Sequence, residues 1–422
     1  MSSPRVREEI ERLAGIERGS ASEGEARAAR VLAGMLRERG LEPVLEEERA
    51  VGDFWLATGL AAGAGALAGL IGRRSRRAGA LLGAAAAGLM ADDVDNGAHL
   101  LRRLLPERTT TNVLAWAGDP EGAETVVLIA HHDAARTGLL FHPGLVPLVN
   151  RLAPGWYARQ TTSTQTGRLL VAGPALVALG SALGLRRVRR LGTVWSAGTA
   201  ALLADVGRSA VVPGANDNLS AVAVLLMVAE ELARGPVPGV RVLLLSTGSE
   251  ESFMEGMRGF VRRHGPELDP TRTRFVALEC VGSPRLMIME GEGMLRMRDH
   301  DRSLREELQA AADEAGVEVW RGLRLGAGGT DALPALRAGY RAACVAACTE
   351  LKVPANYHWP TDVPENLCWS TIEEAATVVT GLLGRVGRGA TAGARGWGER
   401  CEQGGRHGGG GPPELCGRRG TG

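Results

Sequence analysis

The chain has 422 residues, enough for one large α/β domain with additions or for two domains. Its formal net charge is +1, so no surplus of positive charge indicates a nucleic-acid partner. The six cysteines have neither CxxC metal spacing nor the regular spacing of a disulfide framework. Composition thus argues against nucleic-acid binding and against a cysteine-built metal site, and the function has to be sought in the motifs.

The N-terminal part predicts two amphipathic helices within residues 5–40, followed by a strand at 42–49. Between the helices, Ser20-Ala-Ser-Glu23 has the form of a capping box, in which a serine and a glutamate satisfy free N–H groups.

Two apolar insertions then interrupt the pattern. Their apolar runs are residues 54–72 and 78–91 in the first, and residues 169–185 and 191–206 in the second. An arginine cluster joins the two runs of each insertion, at residues 73–77 and 186–190. Each insertion therefore predicts a helical hairpin with a basic tip.

A membrane span needs about 20 apolar residues to cross a hydrocarbon core of roughly 30 Å. Residues 54–72 just reach this length, whereas residues 78–91 are shorter and Asp205 interrupts the last run. The alternative is a pair of soluble, cytoplasmic hairpins packed on each other or on the main domain. Clustered arginines beside apolar runs favour membrane association through residues 54–91 and 169–206. In that case the protein lies in the cell membrane, with cytoplasmic tips and an extracytoplasmic main domain.

The rest of the chain alternates strands and helices. Strands are predicted at 112–116, 125–130, 240–246, 274–278, 285–289 and 342–347. Helices are predicted at 219–234, 252–265, 303–316, 332–338 and 371–385. The expected fold class is α/β, a mixed and mostly parallel sheet covered by helices on both faces. Residues 387–422 are rich in glycine and arginine and predict a disordered tail.

Acidic residues and histidines follow three of these strands. His131 and Asp133 come after the strand at 125–130, Glu250 and Glu251 after 240–246, and Glu279 after 274–278. Ligands in open α/β sheets bind at the carboxyl ends of strands. Asp217 precedes the helix at 219–234, where by itself it would be read as an N-cap. Together these groups would repel one another unless cations lay among them.

At this point the sequence resembles the co-catalytic zinc aminopeptidases of metallopeptidase family twenty-eight. The motifs that carry the resemblance are His131-x-Asp133, Gly214-Ala-Asn-Asp217-Asn, Glu250-Glu251, the strand ending at Glu279, and Tyr357-His358-Trp-Pro-Thr-Asp362. Their order agrees with the family throughout, apart from the two insertions. The implied fold is that of a zinc exopeptidase.

The resemblance implies two Zn²⁺ ions and peptide substrates. Asp217 would bridge the metals, His131 and Glu279 would complete one site, and Glu251 and His358 would complete the other. Imidazole nitrogen and carboxylate oxygen are suitable zinc donors. Glu250 would be the general base for a metal-bound hydroxide, and Asp133 would orient His131.

Two departures from the family pattern affect this assignment. The family usually has Asp at the position of Glu279, which has the same donor atoms and a longer reach. A tyrosine that serves some members as oxyanion donor is absent from residues 326–331, and Tyr357 is the replacement expected here. Asp331 and Asp362 are expected either to support the ligands or to be solvated.

Several functions fit this ligand set. An aminopeptidase is the expected one, although a carboxypeptidase or dipeptidase would use the same metals. A glutaminyl cyclase-like enzyme with a single zinc is a second possibility, against which retention of His131 argues. A catalytically silent scaffold of the same fold is the third, and such chains generally lose ligands.

The resemblance also divides the chain. The peptidase domain is expected to comprise residues 1–52, 108–138 and 211–386, interrupted by hairpin insertions at 53–107 and 139–210 and followed by the tail at 387–422. Because the second insertion separates His131 from Asp217, residues 139–209 are expected to form a wall or lid over the site, which restricts access to short or apolar peptides.

Overall fold

The computed structural model describes residues 4–163 and 165–404, those after 390 as backbone alone. Its main sheet has seven strands. They are β1 (Val44–Ala50), β2 (Arg108–Gly118), β3 (Glu124–His131), β4 (Val240–Thr247), β5 (Thr273–Glu279), β6 (Arg285–Ile288) and β10 (Arg341–Cys348). A small second sheet contains β7 (Gly291–Glu292), β8 (Arg298–Asp299) and β9 (Arg324–Leu325). Every predicted strand is present.

The main sheet is mixed, in the order β1-β2-β4-β3-β5-β10-β6. Its four central strands, β4, β3, β5 and β10, are parallel, and β2 and β6 flank them in antiparallel pairing. The central strands are apolar without alternation because both faces of the sheet are covered; Val126 to Ile129, for example, are fully buried. The four parallel strands therefore end at one edge of the sheet.

Helices cover both faces, as the sequence predicted. One face carries α1 (Pro4–Ala14), α2 (Glu23–Arg37), α9 (Ser220–Arg234), α11 (Arg302–Ala315) and α13 (Trp369–Gly404). The other carries α10 (Glu255–His264) and α12 (Ala332–Arg337). The expected fold class is confirmed.

The capping box before α2 lies two residues later than predicted. Ser22 caps the helix by accepting from the N–H of Glu25 at 3.2 Å, and the Glu25 carboxylate accepts from the N–H of Ala21 at 2.7 Å. Ser20 is unavailable for capping because its hydroxyl donates to Asp133, 2.6 Å away.

The last helix ends later than predicted, so the first part of the expected disordered tail, through Gly404, is helical. No proline interrupts the chain there before Pro412. The Arg388 guanidinium also pairs with Glu314 of α11 at 3.1 Å, which holds the extension against the domain. The remainder of the predicted tail, residues 405–422, lies outside the described residues.

The two predicted hairpins pack on each other as a four-helix bundle. Its helices are α3 (Phe54–Ile71), α4 (Arg76–Val94), α7 (Thr166–Ala182) and α8 (Arg186–Arg208). Among the described residues, α3 alone is both long and apolar enough to cross a membrane, with a mean hydropathy of 1.7, whereas α7 is apolar but shorter. Before α7, residues 139–158 contain α5 (Leu145–Leu152) and α6 (Pro154–Ala158). We refer to residues 139–158 as the strap.

Candidate metal centre

The predicted ligands meet at the carboxyl edge of the parallel strands. His131 is the last residue of β3, and Glu279 is the last residue of β5. Glu251 lies in the single turn that follows β4, and Asp217 lies in the irregular turn before α9. His358 comes from the loop after β10. The topology places His131, Glu251 and Glu279 together, because neighbouring parallel strands end at the same edge, and the two loops bring Asp217 and His358 to them.

Asp217 lies between two histidines. Its Oδ1 is 3.2 Å from Nε2 of His131, and its Oδ2 is 3.1 Å from Nε2 of His358. Oε1 of Glu279 lies 3.6 Å from the same nitrogen of His131, and Oε2 of Glu251 lies 3.2 Å from that of His358. The geometry thus contains two halves, each with one imidazole and one carboxylate, which share Asp217. The helix-capping reading of Asp217 does not hold, since its side chain makes no cap to α9.

The donors fit a zinc ion in type and in their lack of other partners. Candidate ligand atoms of His131, Asp217 and Glu251 all lie within 4.8 Å of one another. Nε2 of His131 and Oε1 of Glu251 are buried and have no hydrogen-bond partner. Unpaired buried polar atoms are costly, and a metal ion would satisfy them. Nitrogen and oxygen donors of this kind are usual for zinc.

Cys280 belongs to a second group of candidate ligand atoms within 4.8 Å, together with Asp217 and Glu279. Burial raises the pKa of its thiol well above the usual range, and the nearby carboxylates raise it further. The thiol therefore stays protonated and donates to Oε1 of Glu279 at 3.3 Å. In this arrangement Cys280 orients a predicted ligand, because a metal would require the thiolate.

The charges of the centre are strongly perturbed. Burial by itself would lower the pKa of both histidines, but their carboxylate partners raise that of His358 to about 10 and that of His131 well above the ordinary value. Burial raises the pKa of Glu279 to about 7. Protons on the imidazoles therefore balance the carboxylates when no cation is bound. Metal binding would displace those protons.

Glu250 stands apart from the predicted ligands. Burial raises the pKa of its carboxyl well above the usual range, and the charges of Glu279 and Asp331 add to the effect. Its Oε2 lies 3.8 Å from Nε2 of His131, farther than the nearest oxygen of Asp217. A buried carboxylate with a raised pKa at the edge of a metal site has the property that a general base requires.

Asp133 fixes this loop as well as His131. Its Oδ1 lies 3.2 Å from Nδ1 of His131 and accepts from the N–H of Glu250 at 3.0 Å. Its Oδ2 accepts from the N–H of Glu251 at 3.2 Å and from the Ser20 hydroxyl. The Asp133 carboxylate thus fixes His131 and both glutamates relative to one another. The sequence analysis predicted only that it orients His131.

Asp331 and Asp362 are buried rather than solvated. Asp362 accepts from the N–H groups of Asn216 at 2.6 Å and Asp217 at 3.1 Å, which fixes the turn that carries the shared carboxylate. Asp331 accepts from the Thr247 hydroxyl at the end of β4. Burial raises the pKa of each carboxyl to about 7.

Tyr357 stacks on His358, with ring centroids 3.9 Å apart. The residue is 39% exposed, yet its hydroxyl is desolvated and faces Asp217 and Glu251, so its pKa lies well above the usual value. The phenol therefore remains a donor at neutral pH. The ring of Phe141, which belongs to the strap, packs edge-on against the ring of His358, with the two centroids 4.4 Å apart.

Several supporting residues escaped the sequence analysis. Asn218 donates to the carbonyl of Leu278 at 2.8 Å and accepts from the N–H of Cys280 at 3.0 Å, which ties the Asp217 turn to β5. Arg18 is fully buried and donates to the carbonyl of Gly214 at 2.7 Å. Asn218 was recognisable from its place beside Asp217, whereas Arg18 has no local pattern that distinguishes it from the other arginines.

Residues 200–383 match the model of peptidase family M28. This segment contains Asp217, Glu250, Glu251, Glu279 and His358, but it leaves out His131 and Asp133. Comparison with the curated protein sequences gives no match.

Solved structures share the fold at low identity. A zinc aminopeptidase from Bacillus subtilis is 15% identical, with a TM-score of 0.51 over 90% of this chain and 93% of that chain. A Zn-dependent exopeptidase from Parabacteroides distasonis is 13% identical, with a TM-score of 0.50 over 90% and 96%. A Bacteroides thetaiotaomicron glutaminyl cyclase, solved with N-acetylhistamine, is 13% identical, with a TM-score of 0.51 over 90% and 96%.

At these identities the solved structures establish only the fold. The family model supports the family for residues 200–383, which include Asp217 and His358. The resemblance recognised from the motifs is thereby confirmed: residues 200–383 match the model of peptidase family M28, and the α/β fold is shared with zinc exopeptidases.

Proposed function

We propose that the protein is a zinc-dependent exopeptidase of the aminopeptidase type, which holds two Zn²⁺ ions. The observation that carries the proposal is the shared carboxylate of Asp217, one oxygen of which faces His131 and the other His358. Glu279 would complete the first site and Glu251 the second. A single metal would leave one of these two imidazole–carboxylate sets without a function.

Bound zinc supplies a Lewis acid that polarises a carbonyl and lowers the pKa of water. Glu250 would take the proton from the attacking water and pass it to the leaving amine. Asp133 would keep Nδ1 of His131 protonated, so that Nε2 is free to ligate. Tyr357 would donate to the oxyanion that develops on the scissile carbonyl.

The strap supports cleavage at a chain end. Phe141 packs against His358 on one side of the centre, and His142 lies edge-on to Trp359 with ring centroids 5.3 Å apart. The strap closes this side of the metal centre, so it would obstruct a polypeptide that extended beyond the scissile bond in both directions. The relatives described as an aminopeptidase and an exopeptidase agree with this proposal.

Elemental analysis of protein purified without chelators, combined with hydrolysis of aminoacyl reporter substrates, tests the proposal. We expect close to two zinc ions per chain and release of the N-terminal residue. Release from the carboxyl end instead would make the enzyme a carboxypeptidase. About one zinc with cyclisation of N-terminal glutamine would favour the cyclase chemistry of the third structural relative. Folded protein without metal or activity would indicate a silent scaffold.

We also propose that the bundle formed by residues 54–91 and 169–206 inserts in the cell membrane. At about 1.5 Å per residue, α3 and α4 are roughly 27 and 28 Å long, close to a hydrocarbon core of about 30 Å. Arginines occupy the tips, at residues 73–77 and 186–190, and aspartates such as Asp53, Asp92 and Asp205 occupy the opposite end. This asymmetry supports cytoplasmic tips and an extracytoplasmic peptidase domain.

Alkaline carbonate extraction of membranes tests insertion, and protease added to intact spheroplasts tests orientation. We expect the protein to stay in the membrane pellet and the peptidase domain to be digested from outside. Complete release by carbonate would contradict insertion and would favour the soluble, cytoplasmic alternative. Protection of the domain in intact spheroplasts would contradict the proposed orientation.

A further inference from the structure

The strap presents an apolar stripe to the outside. Leu145, Leu148, Val149 and Leu152 recur at the i, i+3, i+4, i+7 spacing of one helix face. In a water-soluble protein such a face packs on the core. Here these residues are 49%, 42%, 43% and 75% exposed, respectively. The half-buried residues of α5, which include Val146 and Asn150, lie on its other side.

The exposed apolar surface continues beyond α5. Leu139 is 61% exposed, and Trp156 of α6 is 49% exposed. No residue of α5 or α6 is buried. Apolar side chains concentrated on a surface mark a site of interaction.

This orientation is held by the fold. At the start of the strap, the N–H of Leu139 donates to Oδ2 of Asp205 at 2.7 Å. At the other end of the strap, Nζ of Lys352 donates to the carbonyl oxygens of Ala158 and of the nearby Gln160, at 2.9 and 2.8 Å. The Tyr157 hydroxyl donates to the carbonyl of Leu351. Both ends are therefore tied to the peptidase domain and the bundle, which keeps the stripe outward.

The charge of the strap and its flanks indicates an anionic partner. Residues 134–204 contain no acidic residue, and the strap and its flanks carry Arg136, Arg151 and Arg159. Amphipathic elements that combine arginines with exposed leucine and tryptophan are typical of an anionic membrane interface; in the strap the leucines are on α5 and Trp156 is on α6. A second copy of the chain is a poor occupant, because two basic straps would repel each other.

The strap also lies at the appropriate end of the bundle. It begins beside the C-terminal end of α8, where a Cβ on Gly138 would meet the Val206 side chain at 2.9 Å. This end of the bundle is opposite the arginine tips at residues 73–77 and 186–190, and it is where the outer surface of a bilayer would lie if the bundle spans it.

We infer that the strap is a second membrane-binding element, which lies in the headgroup region of an anionic bilayer with Leu145, Leu148, Val149, Leu152 and Trp156 in lipid. A consequence rests on the proposed function: because Phe141 also touches His358, the metal centre would open beside the lipid surface. Its substrates would then be apolar peptides whose ends emerge from the membrane. Lipid contact of the strap itself does not depend on catalysis.

Tryptophan quenching by brominated lipids tests the inference on the full-length protein in phosphatidylglycerol-containing vesicles. Trp156→Phe should remove a component that shallow bromines quench more strongly than deep ones. Trp116→Phe is the matched control, since Trp116 is 43% exposed on β2, under the Arg241 guanidinium. The control should lower the total emission but leave the quenched component intact.

A third variant separates this inference from the other proposals. Trp195 lies on α8 and is 39% exposed, so Trp195→Phe reports on the bundle. Loss of a quenched component in Trp195→Phe but not in Trp156→Phe would overturn the strap inference while leaving the membrane-spanning bundle in place. Zinc content and hydrolysis of a soluble aminoacyl reporter, measured on the same samples, show independently whether the proposed peptidase function fails.

Discussion

The peptidase domain and the bundle use apolar residues in opposite ways. In the peptidase domain, large side chains such as Leu128, Phe260 and Phe275 are almost completely buried. In the bundle, the buried positions include Gly69, Gly180 and other small residues. Many of its large apolar side chains lie outside; the most exposed are Leu67, Leu81, Leu183, Leu191 and Val194. The peptidase domain thus has the apolar arrangement of a protein in water, whereas the bundle has the arrangement that the proposed membrane insertion requires.

Small residues in the bundle allow the helices to approach closely. A Cβ on Gly69 would lie 1.9 Å from Oγ1 of Thr193, and a Cβ on Gly180 would lie 2.4 Å from the backbone nitrogen of Arg189. Such packing is characteristic of membrane helices. In lipid there is no hydrophobic driving force that buries leucine between helices, so small residues occupy the interface. In the peptidase domain, by contrast, the buried polar residues include those of the proposed site. Each region can be disrupted separately.

The largest effect is expected for Glu250→Gln. The amide keeps the shape but cannot accept a proton, so hydrolysis should fall by about 10²–10⁴-fold. Zinc content should remain unchanged, because Glu250 is not one of the proposed ligands. The exposed Glu231→Gln serves as the control and should retain full activity. Loss of zinc in Glu250→Gln would instead make this residue a ligand.

In the bundle, Gly69→Val should destabilise helix packing by about 1–3 kcal/mol, because the side chain would overlap Thr193. The measurement is the thermal midpoint of detergent-solubilised protein. Gly63→Val on the same helix is a matched control, since its Cβ would meet no atom within 4 Å. Equal effects of the two substitutions would contradict the close packing described here.

Asp133→Asn should weaken zinc binding by roughly 10–100-fold, a range typical of residues that orient ligands. The amide cannot accept from Nδ1 of His131 and from the loop N–H groups at once. Competition with a chromogenic chelator gives the affinity. Ser20→Ala removes one of Asp133's donors and should have a smaller effect in the same direction. An unchanged affinity in Asp133→Asn would show that the loop is held by its backbone.

The smallest effect concerns His99, between the bundle and β2. Burial, together with the charges of Arg102 and Arg258, lowers the pKa of this imidazole to about 2. The unfolded chain takes up a proton near pH 6.5 and the folded one does not, so this contribution to stability is complete above about pH 6.5. Below that pH it should decrease by up to about 1.4 kcal/mol per pH unit.

Urea unfolding at pH 7 and pH 5 measures this dependence in the wild type and in His99→Gln. Because the glutamine side chain does not titrate, the variant should lose less stability than the wild type between the two pH values. Equal losses in the two proteins would assign the acid sensitivity to other groups.

Local patterns were sufficient for much of this molecule. Runs of apolar residues predicted the strands, the helical spacing of apolar residues predicted the main helices, and arginine clusters indicated the tips of the hairpins. Residues that follow strands could be placed at one edge of the sheet, because parallel strands end together. The resemblance to the peptidase family added Asp217 and His358 and assigned the ligand roles, and the structure brings His131, Asp217, Glu251, Glu279 and His358 together.

The supporting role of Asp133 was expected from the resemblance, but only the tertiary structure decided which groups hold Asp133 and the Asp217 turn in place. Ser20 and Asp133 are 113 residues apart, and Asn216 and Asp362 are 146 apart, so no periodicity in the sequence relates them. The same holds for the strap. Its apolar stripe can be read from the sequence, but whether the stripe faces the core or the outside depends on the anchors at Asp205 and Lys352. Periodicity shows that a helix has an apolar face, and contacts between distant residues determine what that face meets.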